Sequence, residues 1–186
     1  MQPPIRVLHV LHHIFHYPCG YRTRSENILR HQRLHGIESV VVTACDHEGS
    51  RHLPDPAGVT VIPGPAYEGS HRRGLREWAL MMNLRRQIER AIDEFEPDVV
   101  HGHSPVLVAW PALSAARRRR RPFVYEVRDL WENAAVDLGN LSEGSLGYRA
   151  AQAVDSYVLK RADAVTVICD SMRTELAARL GRSDRL

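Results

Sequence analysis

The tract Phe95-Glu-Pro-Asp-Val-Val-His-Gly-His-Ser-Pro105 limits the possible folds more than any other part of the sequence. Pro97 ends the helical pattern before it, because proline removes a backbone donor and clashes with the preceding turn. Asp98-Val99-Val100-His101 then reads as a short buried strand, and Ser104-Pro105 as an N-cap with proline at the first helical position. A strand passing directly into a helix belongs to a crossover unit between parallel strands. Ligands collect beyond the carboxyl ends of such strands, which places His101, Gly102 and His103 at the mouth of a site. Gly102 is expected to let a second backbone or a ligand come close. The alternative is that the imidazoles are packed and hydrogen-bonded for structure alone, and these residues by themselves leave the two readings even.

The same alternation runs through the chain. Ile5 to Leu11 is a partly β-branched apolar run suited to a buried parallel strand, followed by a loop through Pro18, Gly20 and Tyr21. Ser25-Glu26-Asn27 is expected to start the first helix and Gly36 to end it. Glu38 to Ala44 gives a second strand, and Gly58 to Ile62 a weak third one inside a segment rich in Pro, Gly and Asp. Leu84, Ile88, Ala91 and Phe95 recur at helical spacing, and Leu75, Trp78 and Met81 extend that amphipathic helix backward. A helix from Pro105 toward Arg117, a strand at Phe123–Val127 and a helix from Ser145 to Arg161 follow. The chain then continues with a strand at Ala164–Ile168 and a helix capped by Asp170 or Ser171. Strands and helices alternating in this way predict an α/β fold, a doubly wound, mostly parallel Rossmann-like sheet. The 186 residues suffice for one core, so residues 1–186 are read as one domain.

Hydrophobic residues at 44% and charged ones at 25% exclude wholesale disorder. The net charge of +3 comes from one place: without the run Arg117, Arg118, Arg119, Arg120, Arg121 the chain would be net negative. Such a patch suits anionic lipid headgroups or a phosphorylated substrate, and it also suits a solvated helix end, where cations complement the dipole. Nucleic acid is not an expected partner. Three widely spaced cysteines without a Cys-x-x-Cys argue against a disulfide frame or zinc knuckle and for a reducing, cytoplasmic setting. Met1 to Arg6 shows no signal-peptide core, and the apolar run Val106–Ala116 is too short to span a bilayer and carries Pro111. Peripheral contact at the cytoplasmic face of an inner membrane stays open.

Neither Gly-x-Gly-x-x-Gly after the first strand nor Gly-x4-Gly-Lys-Ser/Thr occurs, which demotes dinucleotide and P-loop enzymes. Histidines 9, 12, 13, 16, 101 and 103 invite a metal, but His9 falls in a strand and no carboxylate stands at ligand spacing, so no metal is expected. The Gly20 loop leads into a helix whose free N–H groups suit an anion, with Arg22 and Arg24 adding charge; a plain strand-to-helix turn is the competing account. Arg128, Asp129 and Glu132, beside Trp131, can orient hydroxyls or do acid/base work at a strand's carboxyl end, or can form an ion pair that ties a loop.

Taken together, Pro18-Cys19-Gly20-Tyr21 with Arg24-Ser25, Pro97 to Pro105, and Pro122-Phe123-Val124-Tyr125-Glu126-Val127-Arg128-Asp129-Leu130-Trp131-Glu132 resemble the N-terminal, acceptor-side half of a family-4 retaining glycosyltransferase of GT-B fold. Arg161-Ala162-Asp163-Ala164-Val165-Thr166 adds a weaker match, and the similarity is greatest to the exosortase-associated exopolysaccharide subgroup. The resemblance implies transfer of a sugar from a nucleotide-diphosphate sugar to a polysaccharide, lipid-linked or glycolipid acceptor, normally without a metal or other cofactor. It implies catalytic roles for His103, at the transferred sugar, and Asp129, near the acceptor. Substrate contacts fall to Gly20, Tyr21, Arg24, His101, Arg128 and Glu132. Arg22 and Thr23 stand where the subgroup tends to have a small residue and an aromatic. The Glu-x7-Glu pair of the family's C-terminal donor-binding domain does not occur, so that domain is expected to be absent and the chain inactive or nearly so alone. Two alternatives are a non-catalytic half-protein binding an acceptor or partner, and a nucleotide-sugar epimerase of GT-B type.

Overall fold

The computed structural model describes residues 3–12, 19–44, 58–64, 75–130 and 142–181. Six strands, β1 (Arg6–Leu11), β2 (Glu38–Thr43), β3 (Thr60–Ile62), β4 (Val99–His103), β5 (Phe123–Val127) and β6 (Ala164–Val167), form one sheet in the order β3-β2-β1-β4-β5-β6. All five pairings are parallel. The order reverses between β1 and β4, the place in such sheets where a crevice opens. Five helices occur among the described residues, four between strands and the last after β6: α1 (Gly20–Leu34), α2 (Leu75–Phe95), α3 (Val106–Arg118), α4 (Leu146–Arg161) and α5 (Asp170–Leu180). The doubly wound α/β expectation holds.

Strand side chains alternate between faces, and the two faces differ in kind. Leu8, Val10, Val42, Val100, Tyr125 and Val127 point into the main core, where Ile88 of α2, Val108 and Ala112 of α3 and Val158 of α4 meet them. On the other face Leu29 of α1 packs with Leu11, Val41 and Val59 in a smaller cluster. Full burial of each Leu, Ile or Phe side chain stabilises by about 1.5–3 kcal/mol, so the larger cluster dominates the folding energy.

Several local readings change. Helix α1 begins at Gly20 with Cys19 as N-cap, five residues before Ser25; the Ser25 hydroxyl instead donates to the Tyr21 carbonyl one turn back, at 2.8 Å, inside the helix. Strand β4 continues to His103, so His101 and Gly102 lie within the sheet and not beyond its edge. The close neighbour of Gly102 is not a ligand: a Cβ there would lie 2.8 Å from the Phe123 ring on the adjacent strand. Ser104 does not cap α3; Pro105 holds that position, and the Ser104 hydroxyl accepts from the Arg128 backbone N–H at 3.1 Å. Helix α5 is preceded by Cys169 as N-cap, one residue before Asp170, and closes on Gly181 in the left-handed region at φ 67. Ser145, the expected start of α4, is its N-cap, its side chain accepting from Tyr148 N–H.

The arginine run is partly structural. Arg119 makes two bonds to Asp93 of α2 at 2.6 and 2.8 Å, Arg118 pairs with Glu89 at 3.1 Å, and Arg117 reaches Asp163 at 3.1 Å. These pairs tie the end of α3 to α2 and to the turn before β6. No helix among the described residues is long and apolar enough to cross a membrane.

Candidate functional site

On the α1 side of the sheet the alternation places polar groups where apolar ones would be expected. His9 stands opposite His101 in the β1–β4 register, and His103 opposite Glu126 in the β4–β5 register. His9, His103 and Glu126 are each 1% exposed. Their rings and carboxylate form one connected group. Nε2 of His9 lies 2.8 Å from Oε1 of Gln32 on α1, Nδ1 of His9 lies 3.1 Å from Nε2 of His103, and Nδ1 of His103 lies 2.7 Å from Oε2 of Glu126. His101 stacks on His103 with ring centres 4.3 Å apart.

Cations close the group from above. Nε of Arg24, on α1, donates to Oε1 of Glu126 at 2.5 Å. Arg128, just past β5, sends Nη2 to Nδ1 of His103 at 2.8 Å, with Oε2 of Glu126 at 3.3 Å. Its Nη1 donates to the Tyr21 carbonyl at 3.1 Å and the Ser25 hydroxyl at 2.8 Å, and its guanidinium lies 4.3 Å over the Tyr21 ring. The Tyr21 hydroxyl bonds the His12 backbone N–H and the Ser104 carbonyl, closing the crossing between β1 and β4.

Burial sets the charge states. Removal from water holds the His9 and His103 imidazoles neutral, each lowered to about 3, and burial followed by the neighbouring His103 ring lowers His101 well below its ordinary value. Burial alone would raise the Glu126 carboxyl, but the His103 ring and the Arg128 and Arg24 guanidinium groups outweigh it and keep the carboxylate ionised. Burial also pushes the Tyr21 phenol up to about 12, so it stays protonated.

His9, His101 and His103 have nitrogen atoms within 4.8 Å of one another. Assigning His9 to a strand set it apart from the other histidines; the strand is what brings it to them. The rings are nonetheless joined by hydrogen bonds, and two guanidinium groups flank the one carboxylate, a setting that disfavours a dication. Nε2 of His101 has no hydrogen-bond partner among the described residues.

Of the residues singled out from the sequence, Tyr21, Arg24, His101, His103 and Arg128 come together. Gly20 and Arg24 also line a surface recess of about 560 Å³ on α1, with Thr23, Asn27, Ile28 and His31. Asp129 is exposed beside the cluster, while Arg128 turns back to Glu126 and His103. Glu132 and Trp131, like His13 and His16, lie outside the described residues. His9, Gln32 and Glu126 are the members that the sequence reading did not select. A signal existed: His9 and Glu126 are polar residues at inward positions of otherwise apolar strands, where an unpaired polar group is costly.

Over 111 residues the chain is 32% identical to the sulfoquinovosyl transferase of Arabidopsis thaliana, covering 59% of this chain and 20% of that protein. Among solved structures, sucrose-phosphate synthase from Thermosynechococcus elongatus superposes with a TM-score of 0.71 at 12% identity, over 94% of this chain and 44% of that one. A UDP-N-acetylglucosamine 2-epimerase from Rickettsia bellii superposes at 0.61 with 11% identity, over 98% and 43%. The chain thus spans about one fifth of the curated relative and less than half of either structure, and the structural likeness is one of fold, matching the glycosyltransferases of GT-B type. The model of the glycosyl transferase 4-like domain matches residues 19–186, from the cap of α1 to the last residue, and this chain belongs to that family.

Proposed function

We propose that this chain is the acceptor-side half of a retaining glycosyltransferase of the exosortase-associated exopolysaccharide type, moving a sugar from a nucleotide-diphosphate donor to a polysaccharide, lipid-linked or glycolipid acceptor. The observation that carries it is the cluster of Arg24, Arg128, His103 and Glu126 at the reversal of the strand order, in a chain of this family. In this reading Arg24 and Arg128 attract phosphate oxygens, and Tyr21 shapes the entrance. His103 meets the transferred sugar, and exposed Asp129 lies near the acceptor hydroxyl, with Glu132 and His101 as further contacts. The tract Val124 to Glu132 supports the subgroup. An apolar cavity of about 70 Å³ among Ala44, Leu80, Met81, Leu84, Leu107 and Val108, beside His12, suits the non-polar part of a lipid-linked acceptor. The reaction needs no resident metal or cofactor in this scheme.

A recess of about 370 Å³ lined by Trp110, Tyr157, Arg85, Arg117, Arg118 and Arg161 gives the basic surface a shape suited to anionic headgroups at a cytoplasmic membrane face. Transfer requires groups from both sides of a cleft, because proximity and charge stabilisation are both lost when one side is missing. The 186-residue chain alone is therefore expected to show no transfer above background when nucleotide sugars and extracted lipid acceptors are screened. Specific turnover by the chain alone would overturn the half-site reading, and epimerisation of a free nucleotide sugar without acceptor would replace it with the epimerase one.

A further inference from the structure

Two groups of opposite hydrogen-bonding character compete for one buried nitrogen. Nδ1 of His103 lies 2.7 Å from the Glu126 carboxylate and 2.8 Å from Nη2 of Arg128. An ionised carboxylate only accepts and a guanidinium only donates. Nδ1 therefore carries a proton when Glu126 holds it and offers a lone pair when Arg128 holds it.

The rest of the row can follow either choice. With Arg128 on Nδ1, the Nε2–H of His103 donates to Nδ1 of His9, and the Nε2–H of His9 donates to the Gln32 carbonyl oxygen, which the Ser39 hydroxyl also reaches at 3.1 Å. With Glu126 on Nδ1, both ring bonds reverse, Gln32 turns its amide half a turn and Ser39 turns its hydroxyl. The row from His103 to Ser39 stays satisfied in both directions. Protons balance: one enters at Nδ1 of His103, one passes from His103 to His9, and one leaves Nε2 of His9, the first and last exchanging with water while both rings stay neutral.

Arg128 has one unused donor. Its side chain is 7% exposed, and its Nε, closed off from solvent, has no hydrogen-bond partner among the described residues, so an anion reaches it as the guanidinium swings outward. Nε and Nη2 share one edge of the guanidinium, the edge that grips a phosphate or carboxylate with two parallel bonds, whereas Nη1 is held by Tyr21 and Ser25. We infer that His103 is a two-state element: an anion gripped by the Nε–Nη2 edge of Arg128 releases Nδ1 of His103 to Glu126 and reverses the row through His9. Glu126 and His9 are then positioning residues that report occupancy of the anion site to the imidazole beneath it. The inference rests on the proposed function only for the identity of that anion, the phosphate of a substrate.

The test is a long-range proton–nitrogen NMR spectrum of the imidazoles in the ¹⁵N-labelled chain, with inorganic pyrophosphate as the probe. Pyrophosphate is expected to move Nδ1 of His103 toward the protonated-nitrogen position and Nε2 toward the unprotonated one, with the opposite change at Nε2 of His9. Arg128→Gln is expected to show the Nδ1–H form without pyrophosphate, and Glu126→Gln the Nε2–H form. Opposite shifts in these variants separate a tautomer switch from a merely structural role. If a variant does not fold, the wild-type titration decides alone. A His103 tautomer unchanged at saturating pyrophosphate, or absence of pyrophosphate binding, overturns the inference. Because no turnover is needed, a switch observed in a chain whose relatives prove to have another chemistry would leave this inference standing and remove only the transferase reading.

Discussion

Burying three imidazoles couples the stability of the chain to pH. An imidazole kept neutral by the fold takes up a proton only on unfolding, so below pH 6.5, the ordinary value, the unfolded chain binds more protons than the folded one. Stability falls as pH drops from 6.5 toward about 3, by up to about 1.4 kcal/mol per pH unit for each of His9 and His103. Ionised Glu126 acts in the same direction, because its contribution is lost as pH falls through its depressed folded value. Urea midpoints are expected to change little from pH 7.5 to about 6.5 and to fall from there to pH 5, and His9→Gln is expected to flatten that fall. A wild-type midpoint independent of pH would show that the imidazoles titrate alike folded and unfolded. At this scale the sequence was half legible. His103 and Arg128 could be selected because they stand at a strand's end, and His101 because it lies two residues before one, but His9 and Glu126 carry no such local mark. Their meeting depends on a cross-strand register that no local pattern displays.

At the scale of elements, the alternation of apolar runs and helical spacing places the six strands and five helices among the described residues, with ends off by at most five residues, since each signal is carried by a contiguous segment. Two of the misplaced ends share a cause. Ser25, Ser104 and Ser171 are good caps by type, but the first two spend their hydroxyls elsewhere, Ser25 on a carbonyl one turn back and Ser104 on the backbone of β5's exit. Gly102 is the clearest case of tertiary packing deciding a residue. It keeps β4 against Phe123, so Gly102→Ala is expected to destabilise the chain by about 1–3 kcal/mol through overpacking. Adding Phe123→Leu should restore part of that loss. Were Gly102 instead required for a ligand's approach, the alanine variant would keep its thermal midpoint and lose only binding.

For the whole molecule, the basic run has a structural share and a surface share. Arg119 and its pair Asp93 brace α3 against α2, whereas Arg117 and Arg118 are about half exposed at the Trp110–Tyr157 recess. Changing Arg117 to Arg121 to Gln is expected to abolish sedimentation with anionic liposomes at low salt, and 0.5 M-range salt should weaken wild-type binding because surface charges are screened within about 10 Å at roughly 0.1 M. Binding unchanged by the substitutions would remove the membrane role. The sheet itself separates two tasks: the face toward α2, α3 and α4 carries nearly all the apolar packing, and the face toward α1 carries the histidines, the carboxylate and the arginines. Changes around the polar face can therefore alter what that face contacts one residue at a time, while the opposite face stays intact and keeps each intermediate foldable.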